Sequence, residues 1–445
     1  MMFPISMAAP IAFAAPLPKA ADVVVIGGGV IGVMTAWYLV QAGQRVVLCE
    51  KGRVAGEQSS RNWGWIRQQG RDPAELPIMV ESLRLWRGLA DQLGADLGFR
   101  QTGISYLTRS ARKLAAYENW LPHARSNGID TRLLSRRETE AMLPNAAGWI
   151  GALHTASDGR AEPFTAVPAL ARAAAAAGVV IREACAVRGL ERRAGAVAGV
   201  ITEAGPIACD RVVLAGGAWS SLFLRVHGIA IPQLSVLATV MATTPLPDFF
   251  SGAAMDEDFA FVRREDGGYT LAPWSRHEFA IGPDALRNFR AFLPQMRANL
   301  SSTRLLPAAP KGYPDGWRTP RHWDMHAETP FERCRILAPR PNRAVIARIQ
   351  RQFAAALPQI GRPGIAASWG GMIDTMPDGV PIIDHTPIAG LTLAAGMSGH
   401  GFGIGPGMAR IVADLVMGRT PTHNLHRFRF GRFSDGSKID LGPQL

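Results

Sequence analysis

The chain has 445 residues, of which 47% are hydrophobic and 19% charged, and its formal net charge is +12. This length predicts two or three domains, and the composition is typical of a soluble α/β protein, which excludes fibrous and disordered classes. Arg accounts for 43 of the 48 basic residues, and these are scattered along the chain. We therefore expect no nucleic-acid partner, whereas anionic substrates, an acidic partner or a membrane surface fit the charge. The four cysteines are far apart, so we expect reduced thiols and no metal site.

Residues 1–20 form an apolar segment rich in small side chains, without the basic start of a secretion signal. Its uncharged run is broken by four prolines, so we expect no membrane-spanning helix. The interpretation is a disordered or membrane-touching tail. For the whole chain we predict a cytoplasmic protein, with peripheral contact to the inner membrane as an open alternative.

A strand, a glycine turn, a helix and a second strand follow in order from Ala21 to Glu50. The first strand is continuous and β-branched, and a GxGxxG motif follows it directly. Gly27 permits the tight turn, Gly29 lets the backbone approach a pyrophosphate, and Gly32 lets the helix lie close on the strand. Glu50 ends the second strand, where a carboxylate accepts hydrogen bonds from ribose hydroxyls. This order predicts a dinucleotide-binding clamp and leaves FAD and NAD as alternatives.

Further elements follow from apolar periodicity and from turn residues. Helices are predicted at 75–93, 114–128, from a capping box at 135–138, at 164–178 and at 407–417, and strands at 103–107, 179–181, 186–187, 197–202, 211–214 and 391–395. Between 232 and 346, short alternating segments and hairpin signals predict an antiparallel sheet. Because the last strand and helix return to the pattern of the clamp, two domains are interleaved in sequence.

The predicted fold class is therefore α/β, with a Rossmann-like dinucleotide-binding domain interleaved with an α+β substrate domain built on an antiparallel sheet. The predicted boundaries are an apolar tail at 1–20, the nucleotide domain at 21–105, 164–231 and 347–420, the substrate domain at 106–163 and 232–346, and a basic tail at 421–445. This last tail could dock on a partner or on anionic lipid, or simply pack on the body.

Three separated motifs resemble those of the FAD-dependent D-amino-acid oxidase (DAO) superfamily: the clamp, Val213–Trp219, and Gly396–Gly407 following Asp374–Gly379. A closer likeness is to bacterial L-amino acid deaminases, through segments at 16–19, 31–36, 55–61, 322–324 and 330–332, although Asn62–Trp65 departs from them. The resemblance implies an FAD-dependent dehydrogenase or oxidase that oxidises the C–N bond of an amino acid by hydride transfer to flavin N5. The imine then hydrolyses to a 2-oxo acid and ammonia. An oxidase of secondary or cyclic amines, or a flavin-binding subunit of a larger complex, is the alternative.

The resemblance also implies a set of FAD-binding residues. They are Gly27, Gly29, Val30, Ile31, Gly32, Glu50, Lys51, Ser59, Ser60, Arg61, Asn62, Val187, Gly216, Trp219, Gly399, His400, Gly401, Phe402 and Gly403. Sarcosine oxidases carry a flavin-linking Cys near the position of Gly371, so noncovalent FAD is expected here. They also carry a Lys at the position of Gly403, and its absence favours a quinone or another carrier over oxygen as the electron acceptor.

Arginine binds a substrate carboxylate well because its planar fork makes two parallel charge-assisted hydrogen bonds. Arg67 and Arg263 are at the places where the resemblance puts such a group, with Arg264 as the alternative register. Trp65 is predicted to wall the cavity beside the flavin, together with Trp274 and Phe402, although core packing is an alternative for each. His400 is predicted to hydrogen-bond the flavin or the ligand, or to be structural.

Overall fold

The computed structural model describes residues 3–146, 148–274, 277–299 and 303–443. The strands are β1 (Val23–Ile26), β2 (Val46–Cys49), β3 (Trp65–Ile66), β4 (Arg100–Gln101), β5 (Ile104–Thr108), β6 (Thr131–Leu134), β7 (Gly151–Thr155), β8 (Gly159–Arg160), β9 (Val180–Arg182), β10 (Val187–Arg193), β11 (Ala196–Thr202), β12 (Gly205–Ala208), β13 (Arg211–Leu214), β14 (Leu234–Thr243), β15 (Ala253–Met255), β16 (Phe259–Arg263), β17 (Tyr269–Pro273), β18 (His277–Ala280), β19 (Thr303–Leu306), β20 (Ile365–Thr375), β21 (Ile382–His385) and β22 (Leu391–Ala395). The α-helices are α1 (Val30–Gln41), α2 (Gln58–Arg61), α3 (Leu76–Leu93), α4 (Ala111–Ser126), α5 (Arg136–Met142), α6 (Pro163–Ala176), α7 (Ser220–Val226), α8 (Pro283–Arg287), α9 (Phe289–Asn299), α10 (Pro330–Arg333), α11 (Arg343–Ala356) and α12 (Gly401–Val416).

The first sheet has the strand order β21-β22-β13-β1-β2-β9 and is parallel except for the β21–β22 pair. Helices α1, α6 and α12 share one hydrophobic core with it, and the meander β10–β12 and α7 share the other. Because both faces are covered, β1 is an almost uninterrupted apolar strand. The predicted Rossmann-like layer is therefore confirmed.

The second large sheet runs β19-β18-β14-β17-β16-β15-β5-β7-β6, and β20 also pairs with β14. Its ladders are antiparallel apart from the β18–β19 and β15–β5 pairs. Its strands come from two separate stretches of the chain, one before α6 and one after α7. The predicted fold class, an α/β chain with an interleaved antiparallel domain, is confirmed.

Helix α11 and strand β20 lie with the antiparallel sheet. β20 pairs along the length of β14, from Leu234 opposite Thr375 to Thr243 opposite Ile365. On α11, Phe353 is buried in the hydrophobic cluster that contains residues of β14, β16 and β17. The chain thus returns to the parallel sheet only at β21, later than the predicted boundary at 347. An amphipathic helix shows which of its faces is apolar but not which sheet that face covers, so the sequence could not place this return.

The N-terminal segment packs along the body, so the disorder that the sequence left open for this tail is not found. The ring of Phe3 lies 4.5 Å from that of Phe164 and 6.3 Å from that of Trp369, measured between centroids. The carboxylate of Glu183 accepts a hydrogen bond of 2.6 Å from the backbone N–H of Ala12. These partners are more than 150 residues away along the chain, so the local composition could not reveal them. Residues 1–2 of the predicted tail lie outside the described residues.

The basic C-terminal segment also packs on the body. Phe428 is fully buried, and the guanidinium of Arg427 donates to Asp72 at 2.7 Å. The guanidinium of Arg432 donates to both carboxylate oxygens of Asp378, at 2.8 and 3.1 Å. The sequence left open whether this segment docks on a partner or on lipid or packs on the body, and these contacts are those of a segment packed on the body. Residues 444–445 lie outside the described part of the chain.

Replacing Arg432 by Met is expected to lower the free energy of unfolding by about 3 kcal/mol, because it leaves the buried carboxylate of Asp378 without its cation. Urea unfolding checks this. The matched control is Arg429→Met, which breaks a more exposed pair with Asp435 and should change stability little. Equal losses in the two variants would contradict the assignment.

Two further findings apply to the described ranges alone. No helix there combines the length and the apolar character needed to cross a membrane. No group of His, Cys, Asp and Glu side chains there is placed to hold a metal ion.

Candidate functional site

A cavity of about 1490 Å³ is lined by residues of both large sheets. Because ligand sites commonly measure roughly 300 to 1,000 Å³, it has room for a dinucleotide and a small substrate together. The predicted residues that line it are Gly27, Gly29, Val30, Ile31, Glu50, Lys51, Ser59, Arg61, Asn62, Trp65, Arg67, Val187, Gly216, Trp219, Trp274, Gly399, His400, Gly401, Phe402 and Gly403. Gly32, Ser60 and Arg263 are not among its lining residues.

The glycine turn after β1 is sterically closed to side chains. Gly27 has φ +111°, and a Cβ there would lie 2.4 Å from the carbonyl oxygen of Ala215. A Cβ at Gly32 would lie 2.0 Å from the carbonyl oxygen of Gly27. Gly32 therefore acts beneath the cavity, where it lets α1 lie close on the turn, as its place in the motif predicts. The result is a backbone cradle at the start of a helix, which suits a pyrophosphate.

Glu50 follows β2 and holds the loops around the cradle. Its carboxylate accepts hydrogen bonds from the backbone N–H groups of Gly28 at 2.7 Å and of Gly52 at 2.6 Å. Burial raises the pKa of Glu50. Each carboxylate oxygen has a second lone pair, so Glu50 can also accept a ribose hydroxyl, as predicted.

Lys51, Glu57 and Trp219 form a connected group on the cavity wall. The ammonium of Lys51 donates to Glu57 at 2.8 Å and lies 4.4 Å from the centroid of the Trp219 ring. The indole N–H of Trp219 donates to the same carboxylate oxygen at 2.9 Å. The sequence predicted Lys51 and Trp219 but missed Glu57, which joins them.

The residues of α2 divide between the cavity and the core. Ser59 accepts a hydrogen bond of 2.9 Å from the first N–H of α1, and Arg61 donates to the carbonyl of Gly370 at 2.9 Å. Asn62 donates to the carbonyl of Ser59 at 3.0 Å. Ser60 is fully buried and does not line the cavity, because neighbouring residues on a helix face different ways. The predicted contact of Ser60 with a cofactor is therefore not supported.

The C-terminal glycine segment, Gly399–Gly403, lies at the start of α12 and is fastened to α3. The indole N–H of Trp86 donates to the carbonyl of Gly403 at 2.9 Å, and the hydroxyl of Ser82 donates to the carbonyl of Ile404 at 2.9 Å. Both anchors are more than 300 residues away along the chain. Sequence reasoning treated α3 as ordinary amphipathic packing and missed them.

Asp374 is a buried acid on the cavity wall that the predicted site did not contain. Its Oδ2 accepts hydrogen bonds from the side chain of Gln233 at 2.9 Å and from the N–H of Gly396 at 2.8 Å, whereas Oδ1 has no partner. Burial raises the pKa of Asp374. A buried oxygen without a partner is costly unless a ligand satisfies it. Together with the glycine cradle, this acid fits a polar cofactor such as FAD.

Arg67, which also lines the cavity, lies among aromatic rings. Its guanidinium carbon is 5.6 Å from the centroid of Tyr106 and 6.0 Å from that of Trp274, and one of its N–H groups donates to the carbonyl of Gln69. The rings of Trp65 and Trp274 lie 6.0 Å apart, and the buried indole N–H of Trp65 has no partner. This arrangement suits a carboxylate held by Arg67 in an environment with little water.

The loop that carries Arg67 is fixed by a buried acid. Asp158 accepts hydrogen bonds from the backbone N–H groups of Gln68 at 2.8 Å and of Gln69 at 3.2 Å. Burial raises the pKa of Asp158 to about 6. Upstream, Trp65 pairs with Arg160 across the β3–β8 ladder. Arg67 is thus placed by contacts from a distant segment, which the sequence could not show.

Arg263, the other predicted carboxylate anchor, does not reach the cavity. Its guanidinium donates to the hydroxyl of Tyr269 at 3.1 Å and lies 3.5 Å from a carboxylate oxygen of Asp248. Arg264, the alternative register, is buried and donates to the carbonyl of Thr243 at 2.9 Å, also outside the cavity. Both are structural cations here. The prediction fails because the cavity lies at the far end of the β16–β17 hairpin, where Trp274 follows β17.

Two charged cavity residues, Arg71 and Glu75, were missed. Arg71 is 3% exposed, burial lowers its pKa to about 9, and its Nη1 has no hydrogen-bond partner. Glu75 is 1% exposed, and Oε2 of its carboxylate lies 3.5 Å from Nδ1 of His400. Both residues lie in the segment between β3 and α3, and no local pattern in the sequence indicated that they would line the cavity.

The chain is similar to known proteins in both sequence and structure. The model of the family "DAO: FAD dependent oxidoreductase" matches residues 22–415. The chain belongs to this family. It is an FAD-dependent oxidoreductase, and the glycine cradle and Asp374 are consistent with that cofactor.

The similar proteins include both whole-length sequence relatives and solved structures. The sarcosine oxidase subunit beta of Rhizobium meliloti is 28% identical over 94% of this chain and 90% of its own length. The L-amino acid deaminase of Proteus myxofaciens, solved in complex with anthranilate, has a TM-score of 0.91 at 29% identity over 97% of this chain and 98% of that one. That of Proteus vulgaris has a TM-score of 0.90 at 27% identity, covering 95% and 100%. These three relatives match 94%, 97% and 95% of this chain, which confirms the predicted resemblance over almost its whole length.

Proposed function

We propose that this chain oxidises the C–N bond of an amino acid, giving an imine that hydrolyses to a 2-oxo acid and ammonia. The observation that carries the proposal is Arg67, a cation held against Tyr106 and Trp274 on the wall of the same cavity that the glycine cradle lines. The names of the relatives, which include a sarcosine oxidase subunit and L-amino acid deaminases, support the same class of substrate.

Two groups of cavity residues have different tasks in this proposal. The cradle of Gly27 and Gly29, with Glu50 and Asp374, holds FAD without a covalent link. When bound, FAD supplies the acceptor for a hydride from the substrate. Arg67 binds the substrate carboxylate and so fixes the orientation of the carbon that is oxidised. The aromatic rings of Trp65 and Trp274 exclude water from the reacting atoms.

Anaerobic bleaching of the flavin absorbance near about 450 nm tests the proposal on the purified holoprotein. Pools of L-amino acids, D-amino acids, and the secondary amines sarcosine and proline are added separately. Bleaching by one of the amino-acid pools is the expected result, and it also fixes the stereochemistry. Bleaching by the secondary amines alone would transfer the assignment to an amine oxidase. A flavin that no pool bleaches would contradict amino-acid oxidation.

We also propose a quinone or another carrier as the electron acceptor, reached by peripheral contact with a membrane. A Cβ at Gly403 would lie 3.1 Å from both Cα of Ile66 and the carbonyl oxygen of Trp65, so this position has little room for the long cation that sarcosine oxidases carry there. Reoxidation of the reduced protein by a soluble quinone should be faster than by dissolved oxygen. Faster reoxidation by oxygen would make the enzyme an oxidase.

A further inference from the structure

Glu75 stands at the N-cap position of α3, but its side chain makes no capping hydrogen bond. At this position a Ser, Thr, Asp or Asn side chain ordinarily accepts a hydrogen bond from the first turn. The carboxylate of Glu75 makes no such bond, and although the residue is 1% exposed, its Oε2 has only a long contact of 3.5 Å with Nδ1 of His400. Oε1 has no hydrogen-bond partner. It lines the cavity instead. A buried carboxylate with so few hydrogen bonds is strongly disfavoured unless a ligand supplies more of them.

His400 is the neighbour of this carboxylate. It stands at the N-cap of α12 without a capping bond, and its Nδ1 lies 3.5 Å from Oε2 of Glu75. The two residues begin two helices that pack against each other and are joined by the bonds of Ser82 and Trp86. Their approach is therefore held by the helices and not by a flexible loop.

We propose that Glu75 and His400 form the amine subsite of the cavity, in which Glu75 binds the substrate ammonium and the pair takes up one of its protons. This inference rests on the proposed oxidation of an amino acid. A zwitterion needs an anion beside a cation, and the cavity offers Glu75 beside Arg67 and Arg71. Hydride can leave the substrate carbon only when the nitrogen has a free lone pair, so the ammonium must first lose a proton.

The proton step balances within the residues named. One N–H bond of the ammonium breaks, and its electron pair stays on nitrogen as the lone pair of the neutral amine. The proton passes to the carboxylate of Glu75 and on to Nδ1 of His400. No oxidant is needed in this step, and the total charge of the site is unchanged.

The charges around the pair set its protonation state before substrate binds. The groups that face it are Arg67 and Arg71. Burial, followed by the charge of Arg71, lowers the pKa of His400 to about 4, so the free site holds a neutral imidazole. Burial opposes the ionisation of Glu75, but His400, Arg71 and Arg67 together keep the pKa of Glu75 below its ordinary value. A substrate carboxylate on Arg67 offsets the positive charge and thereby raises the proton affinity of His400.

The test compares Glu75→Gln and His400→Asn with wild-type holoprotein and with Glu81→Gln. Glu81 is a matched control because it lies on the same helix and also pairs with a histidine, His423, but does not line the cavity. Two ligands are titrated against the flavin spectrum: the amino acid that bleaches wild type, and propionate, which has the carboxylate but no amine. Flavin reduction rates are then followed from about pH 6 to about pH 10.

In Glu75→Gln, the affinity for the amino acid at neutral pH should fall by roughly tenfold or more, while the affinity for propionate is retained. The difference in flavin reduction rate between Glu75→Gln and wild type should become smaller as the pH rises, because more of the amino acid in solution then already has a neutral amine. His400→Asn should move the rising limb of the rate profile to higher pH with substrate affinity little changed, and Glu81→Gln should follow wild type.

Equal loss of propionate and amino-acid binding in Glu75→Gln would overturn the proposal, because Glu75 would then act on the anion site or on the fold. Profiles of both variants that superimpose on wild type would also overturn it. If Glu75→Gln does not retain FAD, the profile of His400→Asn decides alone. If an amino acid bleaches the flavin of the wild type and the variants behave like it, the amine subsite is refuted and the proposed function is retained. If no amino acid bleaches the wild-type flavin, both proposals are refuted.

Discussion

Replacing Arg67 by Met is expected to lower kcat/KM for the amino-acid substrate by roughly 150-fold, which corresponds to about 3 kcal/mol. The reason is that the substrate carboxylate loses its cation inside an aromatic enclosure, where water cannot replace the two hydrogen bonds. If the anchor also orients the carbon, flavin reduction at saturating substrate slows together with the rise in KM. Steady-state kinetics and anaerobic reduction of the same preparation measure both effects.

The matched control is Arg263→Met. Arg263 is also a partly buried arginine, but it pairs with Asp248 and Tyr269 away from the cavity. Its replacement should leave kcat/KM near the wild-type value. Arg67→Lys adds a graded test, because lysine keeps the charge and loses the planar fork. Indistinguishable kinetics for Arg67→Met and Arg263→Met would refute the anchor.

Replacing Gly27 by Ala is expected to weaken FAD binding by roughly 100-fold, or about 2.7 kcal/mol. The backbone at φ +111° disfavours any side chain, and the added methyl group would lie 2.4 Å from the carbonyl oxygen of Ala215. Relief of that contact must move the turn, and the cradle then no longer matches a pyrophosphate. The ratio of flavin to protein absorbance after gel filtration reports the loss.

Gly88→Ala is the control for this prediction. Gly88 lies inside α3, where the nearest atom to a new Cβ is the side-chain nitrogen of Gln92 at 3.5 Å. Alanine is a better helix former than glycine, so this variant should keep its flavin and gain up to about 1 kcal/mol of stability. Loss of flavin in both variants would mean that the effect at Gly27 is not specific to the cradle.

The dinucleotide clamp could be predicted from the sequence because its information is local. Gly27, Gly29, Gly32 and Glu50 lie within one βαβ unit, where strand, turn and helix signals follow each other in a short stretch. The structure places Gly32 beneath the cavity and the others on its wall, in agreement with their places in the motif. The order of the elements along the chain and the steric need for glycine are sufficient to predict such a unit.

The residues proposed to bind the substrate could be predicted only in part, because they come from segments far apart in the chain. Arg67 and Arg263 look alike as sequence, and the decision between them depends on which end of a hairpin meets the cavity. Glu75 was assigned to an ordinary helix start, since nothing nearby indicated that His400 would face it. The same limit misplaced β20, whose pairing partner β14 lies more than 100 residues earlier, and α11, whose Phe353 is buried in the cluster beside β14.

The strand order of the parallel sheet has a consequence for synthesis. β13 needs β22 as its outer neighbour, and the start of α12 completes the cavity, so the cofactor site depends on residues near 400. A chain emerging from the ribosome can fold β1, α1 and β2 early, but it cannot offer a finished FAD site until nearly all of it has been made. Cofactor capture is therefore expected to be a late, largely post-translational event, and C-terminally truncated chains should accumulate as apoprotein.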